Sequence, residues 1–434
     1  MKMIDASETE LVKRELLQKR LRKKEDDRLE AYVKRIIKKV QMEGDAALVE
    51  FTRKFDKVSL SAGNLRVSRE EINEAYSKVA GNQIRALKSM KERLESVEKR
   101  VLEKVSMRVE VDGVHVEFRA CPMQRVGCYV PGGKAAYPST LLMTVVPALV
   151  AGVPNIVVCS PPDRKGSLNP LTLVAADICG VDEIYRVGGP QAIAAMAYGT
   201  ETIKPVDKIV GPGNIYVAVA KMLVSKDVAI DFPAGPSELL VLADETANPR
   251  YIALDMCAQA EHGPDSIVGL ITTSKSLAQR TFQEIEEVSK STSRREIVAK
   301  ALSENGFIAV CRTLDEMVEL ANSFAPEHVE VMLENPDKVA EKISSAGIIL
   351  IGPYSSASLS DYYGVTNHVL PTAGYGKSFS ALSCLDFVKR VAILKCSKES
   401  LLKTFEHIKI LSEAEGLPGH FRAVKERLTF EKPS

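Results

Sequence analysis

Along the first hundred residues, apolar positions recur every three or four residues, the spacing of amphipathic helices. The spacing predicts one helix within residues 12–40 and another within residues 84–101. The apolar positions that define them are Leu16, Leu29, Val33, Ile36, Ile37 and Val40, then Ile84, Leu87, Met90, Leu94, Val97 and Val101. The positions between them are heavily charged, so this part of the chain is expected to be mainly helical and chemically quiet.

From about residue 108, short β-branched runs alternate with helical stretches. Runs that are apolar at nearly every position are typical of parallel strands covered on both faces, and the alternation predicts an α/β fold of right-handed βαβ units. The runs are residues 155–159, 183–187, 208–210, 238–242, 266–270, 306–310 and 347–351. They are too many for one ordinary sheet, so we predict two sheets. The change between them is placed at residues 232–237, where two prolines and a glycine interrupt the pattern.

Composition and charge exclude several classes of protein. The 434 residues are 45% hydrophobic and 26% charged, so the chain can bury a core without disulfides or a structural metal. The 58 Lys and Arg balance 57 Asp and Glu, which argues against a dedicated nucleic-acid binder. Residues 12–40 are locally basic, and this charge is interpreted as a solvated helical face rather than a nucleic-acid arm.

The chain carries no predicted membrane segment. The uncharged stretch between Lys134 and Asp163 is interrupted by Pro138, Pro147 and Pro154, whereas a spanning helix needs about 20 continuous apolar residues. The N-terminus lacks the apolar core of a signal peptide, and the eight cysteines include no C-x-x-C pair. We therefore expect a soluble cytoplasmic protein with reduced thiols.

Three glycine-rich turns follow predicted strands, at residues 129–133, 187–191 and 210–214. Each leads toward a helical pattern, and backbone N–H groups at helix starts favour phosphate groups. Glycine also permits tight packing, and no G-x-G-x-x-G fingerprint is present. The clustering of three such turns at the carboxyl ends of strands favours a nucleotide site, with tight packing as the alternative.

The six histidines point to a metal site. Gln259 and His262, three residues apart, are expected to project from one face of the last turn of a helix. A loop offers Asp361 and His368, and His420 lies near the C-terminus. Imidazole, carboxylate and amide oxygen together suit zinc or a similar divalent ion, although each residue taken singly is better explained as a capping or hydrogen-bonding group.

Glu327 and His328 place a carboxylate beside an imidazole at the start of a predicted strand. Adjacent strand residues point to opposite faces, so a shared site requires them at the mouth of the strand or in a turn. There the two side chains could act as separate acid–base groups. A surface pair without a role is the alternative.

Eight motifs together resemble those of histidinol dehydrogenases. The resemblance extends from about residue 30 to residue 425. The motifs, in chain order, are YVPGGKAAYPST, VGGPQAIAAMAYGT, VDKIVGPGN, IDFPAGPSE, AQAEHGPDS, FAPEHVEVM, SDYYGVTNHVLPT and EGLPGH. One departure is Ser-Leu-Ser before Asp361, where a small residue and glycine are usual, so the conformation of that loop is left open.

The resemblance implies an architecture. It implies an α/β fold of two incomplete Rossmann-like domains with parallel sheets, with helical N- and C-terminal extensions that intertwine a homodimer. Residues 1–25 would be the N-terminal extension, and residues 26–128 with 237–382 the domain carrying the metal and acid–base residues. Residues 129–236 would bind NAD, and residues 383–434 would form the dimerisation tail.

The resemblance also implies a role for each motif residue. One Zn²⁺ per subunit would be held by Gln259, His262, Asp361 and His420, the last from the partner subunit. Glu327 and His328 would be the catalytic acid–base pair. Histidinol would contact the metal ligands, His328 and four further residues, Ser139, Ser237, His368 and Glu415. NAD would contact Tyr129, Gln191 and Asn214.

The implied reaction is the NAD-dependent, four-electron oxidation of L-histidinol to L-histidine through bound L-histidinaldehyde, the last steps of histidine biosynthesis. His328 would take the hydroxyl proton and Glu327 would activate water. Three alternatives are a relative acting on another amino alcohol or polyol, an aldehyde dehydrogenase with a cysteine nucleophile, and a non-catalytic zinc-binding scaffold. The complete substrate set counts against the first, the placement of Cys257 toward a helix interior against the second, and the acid–base pair against the third.

Overall fold

The computed structural model describes residues 1–4, 27–132, 136–233 and 235–429. Residues 5–25 of the predicted N-terminal extension lie outside this range, as does the part of the first predicted helix before Asp27. Contacts divide the chain into two units, one of Met1–Glu98 with Met123–Phe387 and the other of Lys99–Pro122 with Val388–Ser434. No helix among the described residues combines the length and the apolarity that crossing a membrane requires.

The elements follow one another in a predominantly alternating order. The first half contains β1 (Lys2–Ile4), α1 (Asp27–Phe55), α2 (Arg69–Ser77), α3 (Gly81–Glu103), β2 (Met107–Val111), β3 (Val114–Pro122), β4 (Arg125–Tyr129), α4 (Pro138–Val150), β5 (Asn155–Cys159), α5 (Pro170–Ile178), β6 (Glu183–Tyr185), α6 (Gly189–Tyr198), β7 (Lys208–Val210), α7 (Ile215–Val224) and β8 (Ala229–Ile230). The second half contains β9 (Glu238–Ala243), α8 (Pro249–Ala260), β10 (Ile267–Thr272), α9 (Lys275–Ser291), α10 (Arg295–Asn305), β11 (Phe307–Val310), α11 (Leu314–Phe324), β12 (His328–Met332), α12 (Pro336–Ala340), β13 (Ile348–Ile351), α13 (Ala357–Tyr363), β14 (Val388–Cys396), α14 (Lys398–Ala414) and α15 (Pro418–Thr429).

The first unit is built on two parallel sheets, which confirms the predicted α/β class. One sheet has the strand order β6-β5-β4-β7-β8 and the other the order β1-β11-β10-β9-β12-β13. Without β1, both place their strands in the order 3-2-1-4-5, that of a Rossmann fold lacking its sixth strand. The change from one sheet to the other falls between Ile230 and Glu238, where the glycine and prolines predicted it.

Helices cover the sheets, and this explains why the strands are apolar at nearly every position. Along β9, Leu239 and Val241 pack into the apolar cluster under α8, α9 and α10. Leu240 and Leu242 belong to the cluster under α11 on the opposite face. Since successive strand residues point to opposite faces, a sheet covered on both faces needs apolar side chains throughout.

The predicted N-terminal helices are present among the described residues. The apolar face of α1 buries Val33, Ile36 and Val40 in the cluster that covers the five-stranded sheet. The helix α2 starts at a capping box, in which the hydroxyl of Ser68 and the carboxylate of Glu71 bond each other's backbone N–H groups. Lys2–Ile4, assigned to a helical extension, instead form the edge strand β1, because they pair in parallel with β11.

The second unit contains an antiparallel sheet of order β14-β3-β2 and the helices α14 and α15. The strand β14 runs antiparallel to the whole of β3, with Val388 opposite Pro122 and Cys396 opposite Val114. The sequence analysis predicted no strands here. Polar residues occupy the exposed positions His115 and Arg119 of β3, so that strand lacks a continuous apolar signal. The strand β14 does contain a short apolar run, residues 391–394, but its positions are exposed.

Candidate active site

A cavity of about 1620 Å³ lies in the first unit. Its walls include the carboxyl ends of β4 and β7 and the amino ends of β9 and β12. Open α/β sheets usually bind ligands at the carboxyl ends of their strands, the ends that the five-stranded sheet contributes here. The six-stranded sheet instead contributes the amino ends of its strands. Of the thirteen predicted site residues, eleven line this cavity: Tyr129, Ser139, Gln191, Asn214, Ser237, Gln259, His262, Glu327, His328, Asp361 and His368.

The other two predicted residues, Glu415 and His420, belong to the second unit. Glu415 follows the last residue of α14, and His420 lies in the first turn of α15. Both side chains are exposed. Eleven of the candidates therefore line one cavity of the first unit, and the other two are exposed residues of the second unit.

The pairing of β12 with β9 brings the acid–base candidates against Glu238. His328 lies opposite Leu239 in the parallel register, at the first position of β12. The carboxylate of Glu327 accepts the backbone N–H of Glu238 at 2.9 Å, and Nδ1 of His328 lies 3.2 Å from the carbonyl oxygen of Glu238. A carbonyl oxygen can only accept, so Nδ1 carries the proton and Nε2 has a free lone pair.

The lone pair of His328 is buried and available. Its Nε2 atom has no hydrogen-bond partner among the described residues, and it lies 3.9 Å from Oδ1 of Asp361. Desolvation lowers the pKa of His328 to about 4, so the imidazole is neutral at neutral pH. The side chain is thus held as a proton acceptor.

Burial acts in the opposite direction on the neighbouring carboxyl group. Desolvation raises the pKa of Glu327 well above its usual value, and the nearby carboxylates of Glu238 and Asp361 raise it further. Its Oε2 atom lies 3.7 Å from Nδ1 of His328. The two groups therefore occupy one site with separated proton affinities, as paired acid–base groups require. This is possible because Glu327 precedes the strand, whereas His328 begins it.

The three cavity residues proposed as metal ligands come from two helices and a turn. Gln259 lies in the last turn of α8, but His262 lies beyond the end of that helix, so the prediction of a shared helical face is wrong for His262. Its backbone N–H donates to the carbonyl of Gln259 at 3.3 Å, which keeps the two residues together. Asp361 lies on the short helix α13 and not in the predicted loop, and Gly364, with φ of +82°, ends that helix.

The chemistry of these donors fits a divalent ion such as zinc. Burial raises the pKa of Asp361 to about 7, and desolvation lowers the pKa of His262, which leaves its imidazole neutral and able to coordinate. Within the described ranges, no three His, Cys, Asp or Glu side chains group as a metal site. The first unit supplies only two such side chains of the implied set, with the amide of Gln259 as third donor.

His368 connects the Asp361 helix to α4. Its Nδ1 lies 3.0 Å from the carbonyl oxygen of Asp361, and its Nε2 lies 3.3 Å from Oγ1 of Thr140. Since the carbonyl must accept from Nδ1, the hydroxyl of Thr140 donates to Nε2. Thr140 is therefore a site residue that the sequence analysis missed, although it directly follows the predicted Ser139.

The three glycine-rich turns contact one another. The hydroxyl of Tyr129, at the end of β4, accepts the N–H of Gly189 at 3.0 Å. A Cβ on Gly211 would lie 2.1 Å from the carbonyl oxygen of Tyr129, so only glycine fits there. Asn214 caps α7, with its side chain accepting two backbone N–H groups at 3.0 and 3.2 Å.

Tight packing therefore accounts for part of the glycine content of these turns. A Cβ on Gly188 would lie 2.3 Å from Cβ of Pro161, and a Cβ on Gly211 would overlap the carbonyl oxygen of Tyr129. Gln191 is more informative about a ligand. It is 1% exposed and lines the cavity, and its Oε1 has no hydrogen-bond partner in the described part of the chain. A buried amide without a partner is costly unless a ligand satisfies it.

None of the described residues that line the cavity is a cysteine. All eight are free of disulfides. Cys257, on α8, is 3% exposed, and burial raises its pKa to about 11. A catalytic cysteine needs a lowered pKa, so the alternative of a cysteine-dependent aldehyde dehydrogenase loses its candidate residue.

Comparisons with known proteins agree on one family. The family model described as histidinol dehydrogenase matches residues 19–428. The histidinol dehydrogenase of Methanosarcina mazei is 45% identical over 403 residues, covering 93% of this chain and 92% of that protein. That of Methanocaldococcus jannaschii is 46% identical over 397 residues, covering 91% and 92%. The crystal structure of histidinol dehydrogenase from Elizabethkingia anophelis has a TM-score of 0.92 at 38% identity, covering 99% of this chain and 98% of that one.

Proposed function

Because this chain belongs to the histidinol dehydrogenase family, we propose that it oxidises L-histidinol to L-histidine in the last steps of histidine biosynthesis. The observation that carries this proposal is the buried, neutral imidazole of His328, whose free Nε2 faces the cavity beside Asp361. Oxidation of an alcohol requires a base that accepts the hydroxyl proton as a hydride leaves. His328 fits that requirement.

The proposed reaction requires NAD and Zn²⁺. NAD would lie against Tyr129, Gln191 and Asn214 and would supply the hydride acceptor, with two molecules reduced per histidinol. Zn²⁺, one per subunit, would be held by Gln259, His262, Asp361 and the partner subunit's His420, and would supply Lewis-acid anchoring of the substrate. The unpartnered Oε1 of Gln191 supports the first assignment. The neutral imidazole of His262 and the buried carboxyl of Asp361 support the second.

The proton transfers follow from the hydrogen bonds of the acid–base pair. His328 takes the hydroxyl proton at Nε2, while its Nδ1–H stays bonded to the carbonyl of Glu238. Glu327, 3.7 Å away, lies where its carboxylate stabilises the resulting imidazolium. His328 then releases this proton to solvent, and Glu327 takes a proton from the water that adds to the carbonyl carbon of the bound aldehyde. In the second oxidation the neutral His328 takes a hydroxyl proton of the aldehyde hydrate as the second hydride leaves to NAD. Its raised pKa makes the ionised Glu327 a stronger base than an exposed carboxylate.

Ser139, Ser237, His368 and Glu415 complete the proposed substrate set. Ser139 lies in the first turn of α4, and Ser237 directly precedes β9, so both face the cavity from element ends. Holding the aldehyde between two oxidations requires an enclosed site. We place that site in a cytoplasmic homodimer, with residues 129–236 as the NAD-binding domain, residues 26–128 with 237–382 as the domain of the metal and acid–base residues, and residues 383–434 as the dimerisation tail.

The first experiment measures NADH formed from limiting L-histidinol, with and without a chelator. Two NADH per histidinol, lost on chelation and restored by zinc, are expected. One NADH per histidinol would contradict the role given to Glu327. Failure of the metal-loaded protein to oxidise histidinol would overturn the substrate assignment, and other amino alcohols would then be screened.

A pair of variants separates base from ligand. His328→Ala is expected to abolish turnover with the zinc content unchanged, whereas His262→Ala is expected to lose zinc. Full activity of His328→Ala would show that the base is another group. Mixed dimers of His328→Ala and His420→Ala subunits should regain part of the activity, because one of their two sites would be intact. No recovery would contradict the assignment of His420 to the partner's site.

A further inference from the structure

A buried ion pair holds both backbone polar groups of Gly211. Lys221 on α7 and Asp231 after β8 form this pair, and their side chains are 1% and 0% exposed. Nζ of Lys221 donates to the carbonyl oxygen of Gly211 at 2.9 Å, and Oδ2 of Asp231 accepts its N–H at 2.8 Å. The other carboxylate oxygen of Asp231 accepts the N–H of Phe232 at 2.7 Å. Each member of the ion pair is therefore bound by backbone groups as well as by the opposite charge.

Gly211 is the first residue of the turn that leads from β7 to α7. The next residues, 212–214, line the cavity, and Asn214 caps α7. On its other side, Gly211 packs against the carbonyl oxygen of Tyr129, in a backbone conformation with φ of +112°. The orientation of this one glycine thus determines where two of the proposed NAD contacts lie.

Stability alone does not account for this arrangement. Removing two charges from water is costly, and apolar residues of similar volume stabilise a protein as well as, or better than, a buried ion pair. An ion pair that also binds the N–H and the C=O of one residue does something that apolar residues cannot do. It fixes the orientation of the two peptide groups that flank Gly211, and a binding site that is already ordered loses less entropy when its ligand binds.

We propose that Lys221 and Asp231 are positioning residues for the dinucleotide. They hold Gly211 so that Tyr129 and the turn of residues 211–214 keep their binding geometry before the cofactor arrives. This inference rests on the proposed use of NAD. Neither side chain is required to touch the cofactor, because both act through the backbone of Gly211.

The test compares one single and one double variant. In Lys221→Met, the carbonyl of Gly211 and the charge of Asp231 both lose their partner, so NAD affinity and stability should fall together. In Lys221→Met/Asp231→Asn, no buried charge is left, and the amide oxygen introduced at position 231 can still accept the N–H of Gly211, so stability should recover relative to the single variant. Affinity for NAD, measured by titration calorimetry, should stay about tenfold or more below that of the wild type, the loss expected from a charged hydrogen bond.

Kinetics and a matched control complete the test. The KM for NAD should rise in both variants, whereas the KM for histidinol, the zinc content and kcat should change little. The control is Lys208→Met, which removes a lysine on β7 that is paired with Asp386 at 2.9 Å and is 9% exposed. Its NAD affinity should equal that of the wild type, although some stability is lost.

The possible failures are distinguishable. A double variant that regains stability and binds NAD like the wild type would overturn the inference. A wild-type protein that binds no NAD would instead overturn the proposed function. If neither variant folds, hydrogen exchange of the wild-type Gly211 amide decides. Exchange as slow as that of core strands supports the proposed restraint of Gly211 by Lys221 and Asp231, and exchange within seconds refutes it.

Discussion

The contact between Gly211 and Tyr129 predicts a large difference between two glycine-to-alanine substitutions. Gly211 has φ of +112°, and an added Cβ would lie 2.1 Å from the carbonyl oxygen of Tyr129. A strained backbone of this kind costs about 1–3 kcal/mol, and forced overlap in a packed region costs about 1–3 kcal/mol more. Loss of glycine's freedom in the unfolded chain returns about 0.4–1 kcal/mol. Gly211→Ala should therefore lower the free energy of unfolding by about 3 kcal/mol.

Gly180 is the matched control. It has φ of +71°, but an added Cβ would meet no heavy atom within 4 Å. Only the left-handed backbone penalty of about 1–2 kcal/mol applies, and it is partly offset by the unfolded-state gain. Gly180→Ala should therefore cost about 1 kcal/mol. The difference between the two variants contains the contact with Tyr129 and the additional backbone strain at the φ of Gly211.

Urea unfolding followed by circular dichroism measures both variants against the wild type. A lower midpoint at unchanged slope is the expected form of the result. Gly211→Ala should also weaken NAD binding, because its Cβ displaces the backbone of Tyr129, whereas Gly180→Ala should not. Equal losses of stability in the two variants would refute the steric argument.

Three further predictions concern single side chains. Asp56 lines the cavity, and burial raises its pKa to about 6. Because this pKa is raised in the folded state, the folded protein loses stability as the pH rises from about 4 to 6. Asp56→Asn should therefore stabilise the protein by about 1 kcal/mol at pH 7, after allowance for solvent screening, but not at pH 4. Equal gains at both pH values would contradict this prediction. Glu327→Gln keeps an acceptor for the N–H of Glu238, so the variant should fold and oxidise histidinol to the aldehyde. It should oxidise added aldehyde about 10²-fold or more slowly than the wild type. Undiminished aldehyde oxidation would remove Glu327 from the mechanism. Native alkylation with iodoacetamide should modify Cys128, whose pKa burial raises to about 12, only after the protein unfolds, as peptide mass spectrometry would show. Labelling of Cys128 in the native protein would contradict its burial.

The parallel strands were predictable because their signal is local. Residues 155–159 and 208–210 were predicted to be strands, and the structure has strands with those bounds. Burial on both faces of the sheet requires apolar, β-branched residues at successive positions, which a short window of sequence displays. The antiparallel strands β3 and β14 were not predicted. Polar residues interrupt β3, and the short apolar run of β14 becomes a strand by pairing with a partner far away in the chain.

Short helices were less predictable than strands. Asp361 was placed in a loop, but it lies on α13, which has seven residues and ends at Gly364. A helix this short has little propensity of its own and forms through its tertiary packing. The prediction for His262 erred in the opposite direction. His262 was placed on a helix because its spacing from Gln259 fits helical geometry, but that helix ends at Ala260.

The sequence by itself determined which chemical groups are present and in which order: three glycine-rich turns, an adjacent carboxylate and imidazole, and the family to which the motifs belong. Only the tertiary structure decided their chemical state. The carbonyl of Glu238, brought opposite His328 by the register of two strands, determines which ring nitrogen carries the proton. The hydrogen bonds of Lys221 and Asp231 with Gly211 join residues that lie 10 and 20 positions apart in the chain. Tautomers, burial and desolvation depend on neighbours distant along the chain, and these become neighbours only when the sheets assemble.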